Sequence, residues 1–151
     1  MKPINLLRIL LAFMFVFVST QSFAKTIKWS MQGDSLTLDP HAQNEGPTTQ
    51  VSRQVYEALV QRGLDMKIGP ALATKWRTTD PNNWIFDLRK DAKFSDGTGM
   101  TSADVVFSIL RAKQRTSDFK EYISTISDVT AIGDYSVKIT TSKPNPILFK
   151  S

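Results

Sequence analysis

The residues from Lys93 to Ile109, KFSDGTGMTSADVVFSI, hold an aspartate and two glycines in a short loop that runs straight into a helical pattern. Such a loop suits one kind of chemistry, because backbone N–H groups freed at a helix start attract phosphate and other anions. The residue types argue against that use here. A phosphate loop of the GxxxxGK type, closed by Ser or Thr, needs its lysine to meet the phosphates, and DGTGMTSAD has none at that position. The helix start instead carries Asp104, three residues after an N-cap Thr101, in a variant of the capping box. That carboxylate satisfies the helix dipole and repels an anion. The loop is read as a sharp turn feeding a self-capped helix.

The other reactive residue types form no catalytic set. His41 is the single histidine, and with Asp39 nearby and no cysteine it lacks the spacing of a metal site. It is expected on a surface loop. There is no GxSxG elbow, and no thiol nucleophile can exist. Asp87 and Asp91 make a carboxylate pair of the sort that could do acid–base work, but such pairs recur in any charged sequence and are read as solvated. Trp29, Trp76 and Trp84 each fall in a strand pattern, so core packing is expected of them. No catalytic residue, metal ligand or cofactor is assigned, and no enzyme chemistry emerges.

The elements around these residues follow from periodicity. Thr26 to Met31 alternates Ile27 and Trp29 with polar neighbours and predicts a strand, broken by Gly33-Asp34. Ser35 to Thr49, with Asp39-Pro40 and Gly46-Pro47, is expected to be irregular. Thr48 to Arg62 predicts an amphipathic helix with Val51, Val55, Tyr56, Leu59 and Val60 on one face and Gly63 as its stop. Lys75–Thr79 and Trp84–Leu88 flank the turn cluster Asp80-Pro81-Asn82-Asn83 and predict a hairpin, with Trp84, Phe86 and Leu88 on one side. After the loop, Ala103, Val106, Phe107 and Leu110 are the expected buried helix face. Asp128–Ile132 and Tyr135–Thr140 flank Gly133-Asp134 as a second hairpin. Lys143-Pro144-Asn145-Pro146 leads toward a further helix. No internal repeat is found, and a stop at Ser151 inside an element is read as a fragment.

Two compositional features bear on location. Lys2 and Arg8 precede the apolar run Ile9–Val18, and Ser22-Phe23-Ala24 puts small residues at the −3 and −1 positions. This predicts a secretory signal peptide over residues 1–24, cleaved after Ala24. The run falls short of the roughly 20 apolar residues of a bilayer span, so the mature chain is not expected to cross a membrane. Loss of Lys2 and Arg8 takes the net charge from +5 to +3. Charges alternate in sign, as in DLRKDAKFSD, so a nucleic-acid partner is not expected. Without cysteine the exported chain has neither disulfides nor the residue that lipoprotein acylation needs.

Taken in order, Leu38-Asp39-Pro40, VYEALVQRG, GPALATKW, WIFDLRKDAKF, SDG and TSADVVFSI resemble the N-terminal part of the family 5 extracellular solute-binding proteins. These are the dipeptide, oligopeptide and nickel binding components of ABC importers. The resemblance runs from about Thr26 to Leu148, with Pro70–Ile109 its most specific part. Two departures lie in the turn: Ser95 stands where the family usually has histidine, and Gly99-Met100 where a Pro-Phe pair is common.

The resemblance implies an α/β fold that is part of a two-lobed, type II-like periplasmic clamp. Residues 25–47 would begin lobe I with its first strand. Residues 48–151 would be an accessory α/β subdomain, incomplete at the C-terminus, holding the Asp-Gly loop as scaffold. It also implies capture of di- or oligopeptides in the periplasm by a monomer, and delivery to an inner-membrane ABC permease. The ligand-facing residues it points to are Gln32, Gly33, Asp34, Asn44, Glu45 and Gly46. A peptide brings backbone donors, acceptors and charged ends that need partners once water leaves, and exposed main chain around a glycine can supply them. Two alternatives stay open: the same fold serving nickel, haem or a sugar-like compound, and an exported hydrolase with its active site beyond residue 151.

Overall fold

A computed structural model describes residues 26–144. The expected signal peptide and the approach to a further helix from Asn145 onward lie outside the described residues. Thr26–Ser30 are exposed and carry no regular structure, so the expected strand at Thr26–Met31 is not formed. Alternation alone does not make a strand; a ladder partner must take up its backbone groups. None of the paired strands includes these residues. Trp29 is correspondingly exposed and does not pack in a core.

Helix α1 spans Gly46–Val55. Glu45 caps it from an extended backbone, its carboxylate accepting the Thr48 N–H at 2.9 Å, and Pro47 sits in the first turn, where a missing N–H costs nothing. The helix therefore begins before the expected Thr48 and stops well short of Arg62. Tyr56 returns to an extended backbone. The reason is a competing set of partners: the carbonyls of Ala58 and Leu59 accept the N–H groups of Leu72 and Ala73 at 3.1 and 2.8 Å. Beyond them Val60–Arg62 form strand β1, antiparallel to β2 at Ile68–Pro70. Gly63 opens the turn of that hairpin, donating to the Lys67 carbonyl at 2.9 Å, and is not a helix stop.

The main sheet has four antiparallel strands in the order β3-β4-β6-β5. These are β3 Ala73–Asp80, β4 Asn83–Leu88, β5 Ile126–Ala131 and β6 Ser136–Thr141. The β3–β4 hairpin forms as expected around Pro81-Asn82, because Asp80 Oδ1 accepts the N–H groups of Asn82 and Asn83. The β5–β6 hairpin also forms, with its strands shifted slightly and Gly133 at φ 65° in the turn, a backbone region that disfavours a side chain. Register aligns Thr78, Trp84, Ile139 and Val129 across the sheet on one face, with Trp76, Phe86 and Val137 in the next row.

Helix α2, Ser102–Ala112, covers that face against β5 and β6. The core is Ala73, Phe86, Leu88, Met100, Val105, Ile126, Val129, Val137 and Ile139, with Trp76 and Trp84 packed at its margin. Full burial of each larger member contributes about 1.5–3 kcal/mol. The helix presents a face rotated from the one expected, sharing only Val106 with it. Ser102, Val105 and Ala112 are buried and Val106 and Ile109 pack on the core, so Val106 faces it as expected, whereas Ala103, Phe107 and Leu110 are exposed. Ser102 sets this rotation: its N–H donates to the Asp134 carbonyl at 2.8 Å and its hydroxyl to the Gly133 carbonyl at 2.6 Å. Those bonds fasten the first turn of α2 to the β5–β6 turn. No helix among the described residues is long and apolar enough to cross a membrane.

Candidate functional site

Four backbone donors of the loop ahead of α2 bond within it or to the chain just before it. Phe94 N–H reaches the Thr98 carbonyl, Gly97 N–H the Phe94 carbonyl and Met100 N–H the Ala92 carbonyl, at 2.9, 2.9 and 3.0 Å. Thr98 N–H goes to Asp96 Oδ1 at 2.9 Å. At the helix start, Asp104 Oδ2 accepts both the N–H and the hydroxyl of Thr101, at 2.8 and 2.9 Å. Gly97, at φ 87°, makes the sharp turn. The geometry matches the self-capped helix read from the sequence.

The two segments singled out as ligand-facing lie side by side. A Cβ built on Gly33 would stand 3.4 Å from Pro47 Cγ, so the chain at Gly33 runs against the start of α1. Leu36 N–H donates to the buried Thr48 hydroxyl at 3.0 Å, and Tyr56 OH donates to the Leu38 carbonyl at 2.9 Å. The stretch 33–38 is thereby laid along the helix. Gln32, Gly33, Asp34, Asn44 and Gly46 are exposed, and Glu45 is half-buried. Three of the six make side-chain hydrogen bonds. Asp34 Oδ1 accepts Ser35 N–H at 2.9 Å, Glu45 caps α1, and Asn44 Nδ2 donates to Tyr122 OH at 2.8 Å.

A cluster behind these segments has no signature in the sequence. The Arg111 guanidinium, in the last turn of α2, grips the Asp39 carboxylate with both Nη atoms, Nη1 lying 2.9 Å from Oδ1 and Nη2 in close contact with Oδ2. Nη1 also lies 3.0 Å from His41 Nδ1. A guanidinium can only donate, so Nδ1 is the acceptor and the ring proton sits on Nε2. The Arg111 hydrogen bonds, with the His41 N–H behind them, hold the Asp39 pKa down to about 2. Burial first, and the Arg111 charge second, push the His41 pKa below its usual value, which favours the neutral ring that accepts from Arg111. The His41 carbonyl accepts Asp118 N–H at 3.0 Å, and its ring meets Phe119 edge-on. His41 thus lies in a loop, as expected, but half-buried in a turn that its bonds fix. Among the described residues no group of three or more His, Cys, Asp or Glu could hold a metal ion.

Residues 67–151 match the family model of the bacterial extracellular solute-binding proteins, family 5 Middle. The periplasmic oligopeptide-binding protein OppA of Escherichia coli K12 is 34% identical over 133 residues, covering 76% of this chain and 24% of that protein. Among solved structures, the Escherichia coli murein tripeptide binding protein MppA superposes with a TM-score of 0.73 at 31% identity, covering 77% of this chain and 26% of that one. NikA from Brucella suis, in complex with Fe(III)-EDTA, gives a TM-score of 0.70 at 31% identity, covering 80% and 25%. The chain spans about a quarter of the length of these relatives.

Proposed function

Because this chain belongs to the bacterial extracellular solute-binding proteins of family 5, we propose that the intact protein captures short peptides outside the inner membrane. It hands them to an ABC permease in that membrane. Capture is by closure of a two-lobed cleft around the solute, with no bond made or broken, and the protein acts as a monomer. Residues 1–24 direct export and are removed, residues 25–47 begin the first lobe, and residues 48–151 belong to an accessory subdomain beside it. The observation that carries the reading is the similarity to an oligopeptide-binding protein over most of this chain, supported by the superposition on a murein tripeptide binding protein.

The geometry fits that use. A peptide needs its backbone groups and charged ends paired as water leaves the cleft. The juxtaposed segments 32–34 and 44–46 supply exposed main chain beside two glycines and the carboxylates of Asp34 and Glu45. Isothermal titration of the intact protein with a tripeptide mixture is expected to show saturable binding with negative heat-capacity change. Absence of binding across the mixture overturns the peptide reading. A second reading, capture of a metal chelate, is favoured by the NikA superposition, and titration with Fe(III)-EDTA and nickel–histidine separates the two.

A further inference from the structure

The segment 35–45 contains neither helix nor strand, yet it must hold Asn44, Glu45 and Gly46 in one place if they are to meet a solute. Fixing a residue's backbone costs roughly 1–2 kcal/mol, so an irregular stretch of this length stays ordered only where external bonds hold it. Leu36, Leu38 and Glu45 are tied to α1 and Tyr56, whereas the bonds that hold residues 39–44 come from a single stretch of chain distant in sequence. Arg111 holds the carboxylate of Asp39 and the ring of His41, Asp118 N–H holds the His41 carbonyl, and Tyr122 OH receives Asn44. Between those ties the chain makes a tight turn, with Ala42 N–H on the Asp39 carbonyl at 3.3 Å.

We infer that Arg111 is a positioning residue for solute binding, fixing the Asp39–His41 turn so that residues 44–46 are presented in one conformation. The inference rests on the functional reading above. It gives the end of α2, in the scaffold, a part in affinity without contact to the solute. The planar two-pronged grip is specific to arginine; lysine keeps the charge but offers a single ammonium and cannot bond both carboxylate oxygens in the same plane. Preorganisation of this kind lowers the ordering cost that binding otherwise bears.

The test uses the intact protein with trialanine as the titrated peptide. Arg111→Ala is expected to weaken binding about three- to thirtyfold, the range for residues that couple to a ligand without touching it, and Arg111→Lys to recover only part. Hydrogen exchange is expected to speed up over residues 39–46 while the amides of Val105–Ile109 keep their protection. Arg77→Ala, which removes another arginine–aspartate pair, with Asp87 on the sheet, serves as control and is expected to leave affinity unchanged. A folded Arg111→Lys protein with wild-type affinity and unchanged exchange at 39–46 overturns the inference while leaving the functional reading intact. A lowered melting temperature with unchanged affinity also overturns it, reducing Arg111 to a structural role. Wild-type protein that binds neither trialanine nor a tripeptide mixture overturns the functional reading, and this inference with it.

Discussion

Phe86 on β4 stands directly opposite Val137 on β6, and both side chains are completely buried. Trp76 flanks Phe86 from the edge strand β3, and Ala131 on β5 stands opposite Val137, so this row crosses all four strands of the sheet. Phe86→Ala is expected to destabilise the intact protein by about 3–5 kcal/mol in urea melts. Combined with Val137→Ala the loss should be less than additive, because the two cavities merge into one. Strict additivity would show that the two side chains do not share a cavity and that the register is misassigned.

The rotation of α2 gives a second expectation. Val105→Asp buries an unpaired charge against the core and is expected to cost roughly 3 kcal/mol or more. Phe107→Ser, on the exposed face, is expected to stay within about 0.5 kcal/mol. Ser102→Ala removes the hydroxyl bond to the Gly133 carbonyl and should cost about 1 kcal/mol. Urea melts of the three variants decide between this face and the alternative carrying Ala103, Phe107 and Leu110; a larger loss from Phe107→Ser than from Val105→Asp overturns the assignment.

That helix also shows how far the sequence could be read. Its existence, its start at Thr101 and its acidic cap were legible because they depend on residues a few positions apart. Its buried face was legible only at Val106, because Ala103, Phe107 and Leu110 continue from it as good an apolar stripe as Val105, Ile109 and Ala112 do. The choice was made by Ser102 bonding to the β5–β6 turn, about thirty residues away. The same holds for α1. Leu59 and Val60 continue a helical pattern locally, but carbonyl bonds to Leu72 and Ala73 and the β1–β2 ladder draw them into extended chain. At the candidate site, the glycines and carboxylates of 32–34 and 44–46 could be picked out from their types and the family resemblance. Arg111 could not, since its partner Asp39 lies 72 residues earlier and only the fold brings the two together.

The Asp39–Arg111 grip has a pH signature. Asp39 titrates from the ordinary value of 3.8 in the unfolded chain to about 2 in the folded one, so between those values the unfolded state binds more protons. Its contribution to stability is therefore complete above the unfolded value and is lost as the pH falls through about 2. Urea midpoints of the wild type should drop between about pH 5 and pH 2.5, and Asp39→Asn should drop less over the same interval. Asp91, held down to about 2 by Arg89, makes a parallel contribution, so Asp39→Asn flattens the curve only in part. The solvent exposure of the pair keeps its size modest. Identical curves for the two proteins would show that the grip does not form in solution.

Glu45 caps α1, the proposed function gives it a second duty toward the solute, and separating the two is the sharpest check on the candidate site. As N-cap it needs only an acceptor oxygen for Thr48 N–H, which an amide supplies as well as a carboxylate. As a partner for a peptide's ammonium end it needs its charge. Glu45→Gln is therefore expected to change stability by less than about 0.5 kcal/mol, while Glu45→Ala, which loses the cap, costs about 0.5–2 kcal/mol. In titrations of the intact protein, Glu45→Gln and Asp34→Asn are each expected to weaken peptides with a free amino terminus while leaving their N-acetylated forms nearly unaffected. The comparison cancels any general loosening of the segment, because both peptide forms meet the same altered protein. Equal weakening of both forms by Glu45→Gln would place its carboxylate outside the cleft and leave it the cap of α1 alone. Equal weakening by Asp34→Asn would remove Asp34 from the ligand-facing set in the same way.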